Sequence, residues 1–402
     1  MDKRHAIRYF MMIGQYLHHN QAIAAGAIIP AGEDSSFAAT QAVWRFLNNE
    51  KITPQQLVFP LQEFVKQQIP LGTKYVLCAV DWSHLNYAHH DSKRDKTQLS
   101  HKKDIGYELT AMLAVDAESG QPMGLLQAHL KTSYGFESTS DTPLAAKTSH
   151  LAQVMKLMED AKSMNLGATP VTIIDREANS VFDMRQWASD GHLFLVRCDN
   201  RYVDLQAKEI ALDEIKKQAE AENQFTYCRE FSHKGQKVAQ YVYETEVIIS
   251  RPAHRNVKNK RVFVSGDPLT LRLVMAKLIV QKTGKELSYW YLLTNVPSVD
   301  VSSGQIALWY YHRWNIETYF KFMKPGGQEL EHWQQESAPV ILTFAYRING
   351  SGSGLAFTTQ HFTGIGRTKK SVDKIKRQKS KTRKTANCRD IAFRIICVTA
   401  NT

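Results

Sequence analysis

Apolar positions change their rhythm along this chain, and the changes mark out its elements. Unbroken apolar runs at Tyr75–Val80 and Val171–Ile174 read as buried strands. Further strands, near Tyr107–Val115 and Pro122–Leu130, flank Asp116-Ala-Glu-Ser-Gly120, the residues of a hairpin turn. Leu151, Val154, Met155 and Met158 recur at helical spacing, with Gly167 as the expected stop. A second helix is expected over Ala178–Ala188 and a strand over His192–Val196. The middle of the chain thus reads as three antiparallel strands, helix, strand, helix, strand.

The texture differs on either side. Residues 1 to about 70 show helical spacing and no strand-like alternation. Ser35-Ser36 can cap a helix through Ala39, Val43, Trp44, Phe46 and Leu47, and another starts after Thr53-Pro54 and runs to about Gln67. Between residues 200 and 299, stretches at Val238–Val247, Arg261–Val264, Leu271–Val280 and Ser288–Thr294 alternate as antiparallel strands do. The basic segment Arg251–Arg261 within them suits a phosphate backbone or a solvated loop equally. From about Leu342 helical periodicity is lost, and the basic stretch from Arg367 to Lys384 has the composition of a disordered segment.

Charge narrows the choice of partner. The 402 residues give room for two or three domains and carry 51 Lys and Arg against 39 Asp and Glu, a formal +12 that favours a polyanion such as DNA or RNA. Five cysteines without a CxxC pair point to reduced thiols, and to neither a disulfide framework nor a zinc knuckle. No apolar run reaches membrane-span length and no signal-peptide core is present, so a cytoplasmic location is expected. His84, His89, His90 and His101 sit among Lys93, Arg94, Lys96, Lys102 and Lys103 without regular ligand spacing. That pattern reads as a basic loop facing nucleic acid, ahead of a zinc site.

Candidate chemistry concentrates in three places. Tyr310, Arg313, Glu317 and Lys324 fall at offsets of zero, three, seven and fourteen, which on one helix lie within about 60° of each other. Such a stripe suits gripping phosphates around a metal-binding acid. Asp81 and Asp175 each end an apolar run, and acids at the carboxyl ends of strands emerge where open α/β sheets bind ligands. Two aspartates and one glutamate are three hard oxygen donors, suited to a pair of Mg²⁺ or Mn²⁺ ions. Plainer roles stay open: Asp175 as a helix N-cap, and Glu317 as a surface partner of Lys321.

The spacing Tyr310-x2-Arg313-x3-Glu317-x6-Lys324, behind Asp81-Trp-Ser-x-Leu-x-Tyr87 and Asp175-Arg-Glu-Ala178, resembles the DDE transposases of bacterial insertion sequences, in the group with the YREK signature. The resemblance runs from about residue 30 to about residue 340. It implies an α/β fold: a ribonuclease-H-like catalytic core over residues 71–199 and 300–340, a β-rich insertion over 200–299, and a small helical N-terminal domain over 1–70 that binds DNA ends. That core would bring the first strand beside the fourth, and Asp81 beside Asp175. It also implies catalysis by Asp81, Asp175 and Glu317 with two Mg²⁺ or Mn²⁺ ions, cutting of inverted-repeat ends in double-stranded DNA, and joining to target DNA. Tyr310, Arg313 and Lys324 would hold phosphates, and Trp290 would stack on a flipped base, although an aromatic in an apolar strand suits a core equally. Members of the group pair as homodimers on DNA through C-terminal helices. Residues 341–402 depart from that pattern as a reading-frame change near residue 340 would make them, which leaves room for a catalytically impaired DNA-binding relative or inhibitor. A structure-specific nuclease on the same fold is the third possibility.

Overall fold

The computed structural model describes residues 51–324 apart from 234, 258 and 259, together with 330–332 and the single positions 5, 45, 46, 49 and 341. The helix expected from Ser35 and the tail from Leu342 lie outside the described residues. Helix α1 (Pro54–Gln68) starts where its sequence says. The Thr53 hydroxyl accepts from the Gln56 N–H, the Gln56 side chain returns to the Thr53 N–H, and Pro54 occupies the first turn.

Strands β1 (Tyr75–Asn86), β3 (Ile105–Asp116), β4 (Pro122–Lys131) and the short β5 (Phe136–Ser138) follow as antiparallel neighbours, with the two-residue β2 (Thr97–Gln98) on β3. Helix α2 (His150–Ser163) crosses to β6 (Thr169–Ile174), which lies parallel to β1. A 3-10 turn (Arg176–Ala178) and helix α3 (Val181–Ser189) lead to β7 (Leu193–Cys198), parallel to β6. The resulting order β4-β3-β1-β6-β7 is consistent with a ribonuclease-H-like core.

The next hundred residues extend that sheet. They form β8 (Tyr202–Leu205), β9 (Lys208–Ala211), α4 (Leu212–Ala221), β10 (Thr226–His233), β11 (Gln236–Ile249), β12 (Ala253–Val257), β13 (Lys260–Val264), β14 (Leu269–Val280) and β15 (Glu286–Thr294). Because β15 pairs with β7, the β15-β14-β11 meander continues the core sheet to thirteen strands, while β12 and β13 form a separate ribbon. Helices α5 (Ser303–His312) and α6 (Trp314–Met323) follow, and then a 3-10 turn (Leu330–His332).

Strand alternation decides what each face of the sheet meets. Along β1, Tyr75, Leu77 and Ala79 join one core with Leu57 and Leu61 of α1, Ile306, Trp309 and Tyr310 of α5, and Ile316 of α6. Val76, Cys78 and Val80 join the opposite core with Val154 and Leu157 of α2, Trp187 of α3 and Ile215 of α4. The molecule is a sheet covered on both sides, so a side chain's parity on β1 or β6 assigns it to a face. Two sequence boundaries shift. The helix expected over Ala178–Ala188 is a 3-10 turn followed by α3, and α2 ends at Ser163, before Asn165 and Gly167 take positive φ values of 52° and 81°.

Candidate active site

Asp81 and Asp175 carry the same parity as Ala79 and Ile173, so both belong to the face covered by α5 and α6. The parallel register pairs Ala79 with Ile173 and stops there, two residues short of each aspartate. The acids therefore lie level with each other where β1 and β6 part. Asp175 follows the end of its strand, as expected, and its carboxylate accepts the Arg176 N–H at 2.7 Å, capping the 3-10 turn. Asp81 differs from expectation: β1 continues to Asn86, because its other neighbour β3 keeps pairing through Asn86↔Gly106. His84 lies within that continued strand and not on a loop.

The third acid arrives on α6, and the turn between β3 and β4 fixes where. The β3–β4 turn offers backbone carbonyls to both helices: Ala117 O accepts from Trp309 Nε1 at 2.8 Å and Gln305 Nε2 at 3.0 Å, and Gly120 O accepts from Asn315 Nδ2 at 2.7 Å. Gly120 has φ +71°, and a β-carbon there would sit 2.2 Å from the His312 ring, so glycine is required on both conformational and steric grounds.

The single helix expected for Tyr310, Arg313, Glu317 and Lys324 is corrected by the structure. The helical segment divides at Arg313, where Arg313 N bonds Tyr310 O and Ile316 N bonds Arg313 O, three residues apart. Tyr310, Arg313 and Glu317 still converge. Lys324 does not join them: it follows α6 with ψ −152°, as a residue preceding proline tends to, and its ammonium has no ion pair among the described residues.

Arg313 ties the acids together. Its Nη1 donates to Asp81 Oδ2 at 3.0 Å, and its Nη2 to Asp175 Oδ2 at 3.3 Å and Glu317 Oε1 at 2.8 Å. Only 3% of Arg313 is exposed. The Tyr310 hydroxyl donates to Asp175 Oδ1 at 3.2 Å, and Arg197 Nη1 stands 3.9 Å from the same oxygen. Arg197, on β7, escaped the sequence reading, although one cation within the apolar run Leu193-Phe-Leu-Val-Arg-Cys198 was a usable signal. The expected pair of Glu317 with Lys321 is replaced, among the described residues, by the Glu317–Arg313 pair.

The two aspartates titrate apart. Burial raises the Asp81 pKa, and Arg313 and the Trp82 N–H only partly offset it. Burial acts the same way on Asp175, but Arg313, the Arg176 N–H, Arg197 and the Tyr310 hydroxyl outweigh it and hold that carboxyl below its usual range. Burial pushes the Tyr310 phenol up to about 12, so it stays a donor at neutral pH. Burial alone would lower the Arg313 pKa, but the surrounding Tyr310 and acids raise it.

Among the described residues no three acid, histidine or cysteine side chains close on a common point as ready metal ligands. The donor chemistry nevertheless fits a divalent ion. Three carboxylates, all hard oxygen donors, share one guanidinium, with a second cation at 3.9 Å. Trp290, the residue expected to stack on a base, is 4% exposed, opposite Ala276 on β14, with its ring edge-to-face on Tyr310 at 5.1 Å. In this structure it is a core aromatic supporting Tyr310.

Residues 72–334 match the family model described as "Transposase DDE domain". Among solved structures, endonuclease V from Bacillus subtilis is matched at 10% identity over 68% of this chain and 97% of that one, with a TM-score of 0.21, too low to carry an argument. No curated protein matches the chain.

Proposed function

The chain belongs to the transposase DDE-domain family, and from that premise we propose that it cuts an insertion sequence at its inverted-repeat ends and joins the freed 3′ ends to target DNA. A DDE transposase is a polynucleotidyl transferase acting on DNA, and its family works with divalent metal ions. We assign it to the YREK-signature, cut-and-paste group, with a DNA hairpin intermediate. The observation that carries this reading is the convergence of Asp81, Asp175 and Glu317 on the guanidinium of Arg313.

In this reading those three carboxylates would hold two Mg²⁺ or Mn²⁺ ions. When bound, the ions supply Lewis-acid stabilisation of an in-line displacement at phosphorus. Asp175 is oriented by the Tyr310 hydroxyl and the Arg176 N–H. Asp81 is fixed in the middle of a paired strand. The docked β3–β4 turn sets the depth of Glu317 by holding α5 and α6. After the first cut, the released 3′-hydroxyl stays in the same site and becomes the next nucleophile. Residues 1–70 take the DNA-end-binding role, two chains pair on the two ends if the C-terminus permits, and Lys324 grips a phosphate outside the acid cluster. The protein works in the cytosol, on the nucleoid.

A second reading, a relative that binds ends without processing them, is favoured by one observation, the polar and basic composition of residues 341–402. A strand-transfer assay separates the two. The full chain is incubated with Mg²⁺, a plasmid target and DNA carrying the inverted repeats that bracket its gene. Joined products support the proposal. Cleavage without joining identifies a nuclease, and bound but intact DNA identifies the impaired relative.

A further inference from the structure

Arg313 is the side chain whose observed and expected partners disagree most. The YREK resemblance gives it a phosphate, whereas the structure gives it three carboxylates. Its guanidinium offers five N–H donors in a plane, and two of its nitrogens reach Asp81, Asp175 and Glu317 at 3.0, 3.3 and 2.8 Å. Its Nε is buried without a hydrogen-bond partner. The acids are spread around this fork, and no three of them close on one point as metal ligands. The acids keep 22–32% of their side-chain surface exposed while Arg313 keeps 4%, so the cation lies inside the acid cluster.

Two positive centres cannot share that space at low cost. Their repulsion at a few ångströms is strong where water is scarce, and a small divalent ion needs oxygens at about 2.0–2.1 Å, the same oxygens the guanidinium holds. We propose that Arg313 is a resident counter-ion: in the metal-free protein it neutralises the acids, and metal enters only as the guanidinium lets go of them. This rests on the reading of Asp81, Asp175 and Glu317 as the metal site. It also resolves the disagreement over partners, because a guanidinium displaced from carboxylates is freed to pair with a DNA phosphate, which it binds with the same fork. Arg313 would then couple metal loading to substrate binding, acting as a positioning residue before DNA arrives and as a phosphate contact afterwards.

The test measures Mn²⁺ affinity directly, by titrating the full-length protein without DNA and following free Mn²⁺ by electron paramagnetic resonance. Arg313→Gln, which keeps hydrogen-bonding capacity and removes the charge, is expected to bind Mn²⁺ at least about tenfold more tightly than the wild type. Arg313→Lys, a second variant in case the first does not fold, retains a charge but not the fork and is expected to fall between them. Added Mn²⁺ should also raise the melting temperature of Arg313→Gln by more than that of the wild type. Equal or weaker Mn²⁺ binding by the variants overturns the counter-ion role while leaving the metal site standing. Failure of wild type and variants alike to bind millimolar Mn²⁺ overturns the metal-site reading, and the counter-ion role with it. Binding by the variants alone supports both.

Discussion

Strand β1 presents two charged clusters back to back, one residue apart in sequence, and they are built differently. On the face of Asp81 the cations are Arg313, facing three acids, and Arg197, 3.9 Å from Asp175. On the face of Trp82 the cation is His150 at the start of α2. Its ring stacks on Trp82 at 4.8 Å, its Nε2 meets Glu108 at 2.9 Å, and its Nδ1 lies 3.5 Å from Glu177, two residues beyond Asp175. Glu108 also lies 3.8 Å from Lys131 and 3.7 Å from His84, whose ring is nearer Asp104 at 3.1 Å. The second cluster is held by Lys131 and by histidines that carry charge only when protonated, and it links β1, β3 and α2 to the 3-10 turn after β6. In the first, a guanidinium only 4% exposed lies among three acids that keep 22–32% of their side-chain surface. The proposed function puts chemistry on the Asp81 face and support on the Trp82 face.

Removing one cation on each side should expose that asymmetry. Arg313→Ala strands three acids, and breaking a buried ion pair typically costs 3–5 kcal/mol. Because the acids keep part of their surface in water, a loss of about 2–3 kcal/mol is expected at neutral pH, measured by urea denaturation. Gly120→Ala comes next, at about 2 kcal/mol, from a left-handed backbone and a β-carbon driven into His312. A Gly120→Ala protein as stable as wild type would remove the turn from the account of how α5 and α6 are held.

On the other face, His150→Gln is expected to cost under about 1 kcal/mol, since the imidazole is more than a third exposed. Its effect should depend on pH. The bond to Glu108 raises the His150 pKa against the opposing effect of burial. A raised histidine stabilises fully below the unfolded value of about 6.5, and that contribution fades as pH climbs through the folded value. Burial would raise the Glu108 pKa, but His150, Lys131 and His84 together lower it, so the carboxylate's contribution is lost only as pH falls through that lowered value. The difference between wild type and His150→Gln should thus be larger at pH 6 than at pH 9; an equal difference would mean the proton on His150 contributes nothing. The smallest effect expected is that of Glu177→Gln, within about 0.5 kcal/mol, because that carboxylate is exposed.

The sequence carried one cluster far better than the other. The Asp81 face was legible because its residues fall on simple periods: two acids after apolar runs, and an arginine and a glutamate four apart. Even the departure of Lys324 was written there, in the Lys324-Pro325 step. The Trp82 face was not legible, since Glu108, His150 and Glu177 come from three elements that meet only once the sheet is assembled. The same holds for the docked turn, where Ala117 and Gly120 act through backbone carbonyls that no residue identity announces. Strands β8, β9 and β10 escaped because they are short or mixed in polarity, and Trp290 was ambiguous because an aromatic on an apolar strand looks alike in a core and in a binding site.

The central claim is that Asp81, Asp175 and Glu317 act as one phosphoryl-transfer site, and Asp175→Ala tests it most directly. Nicking of DNA that carries the element's inverted repeats is followed in Mg²⁺, with end binding measured in parallel by gel shift. The account predicts that Asp175→Ala still binds the ends but no longer nicks them. Nicking at the wild-type rate by that variant would contradict it.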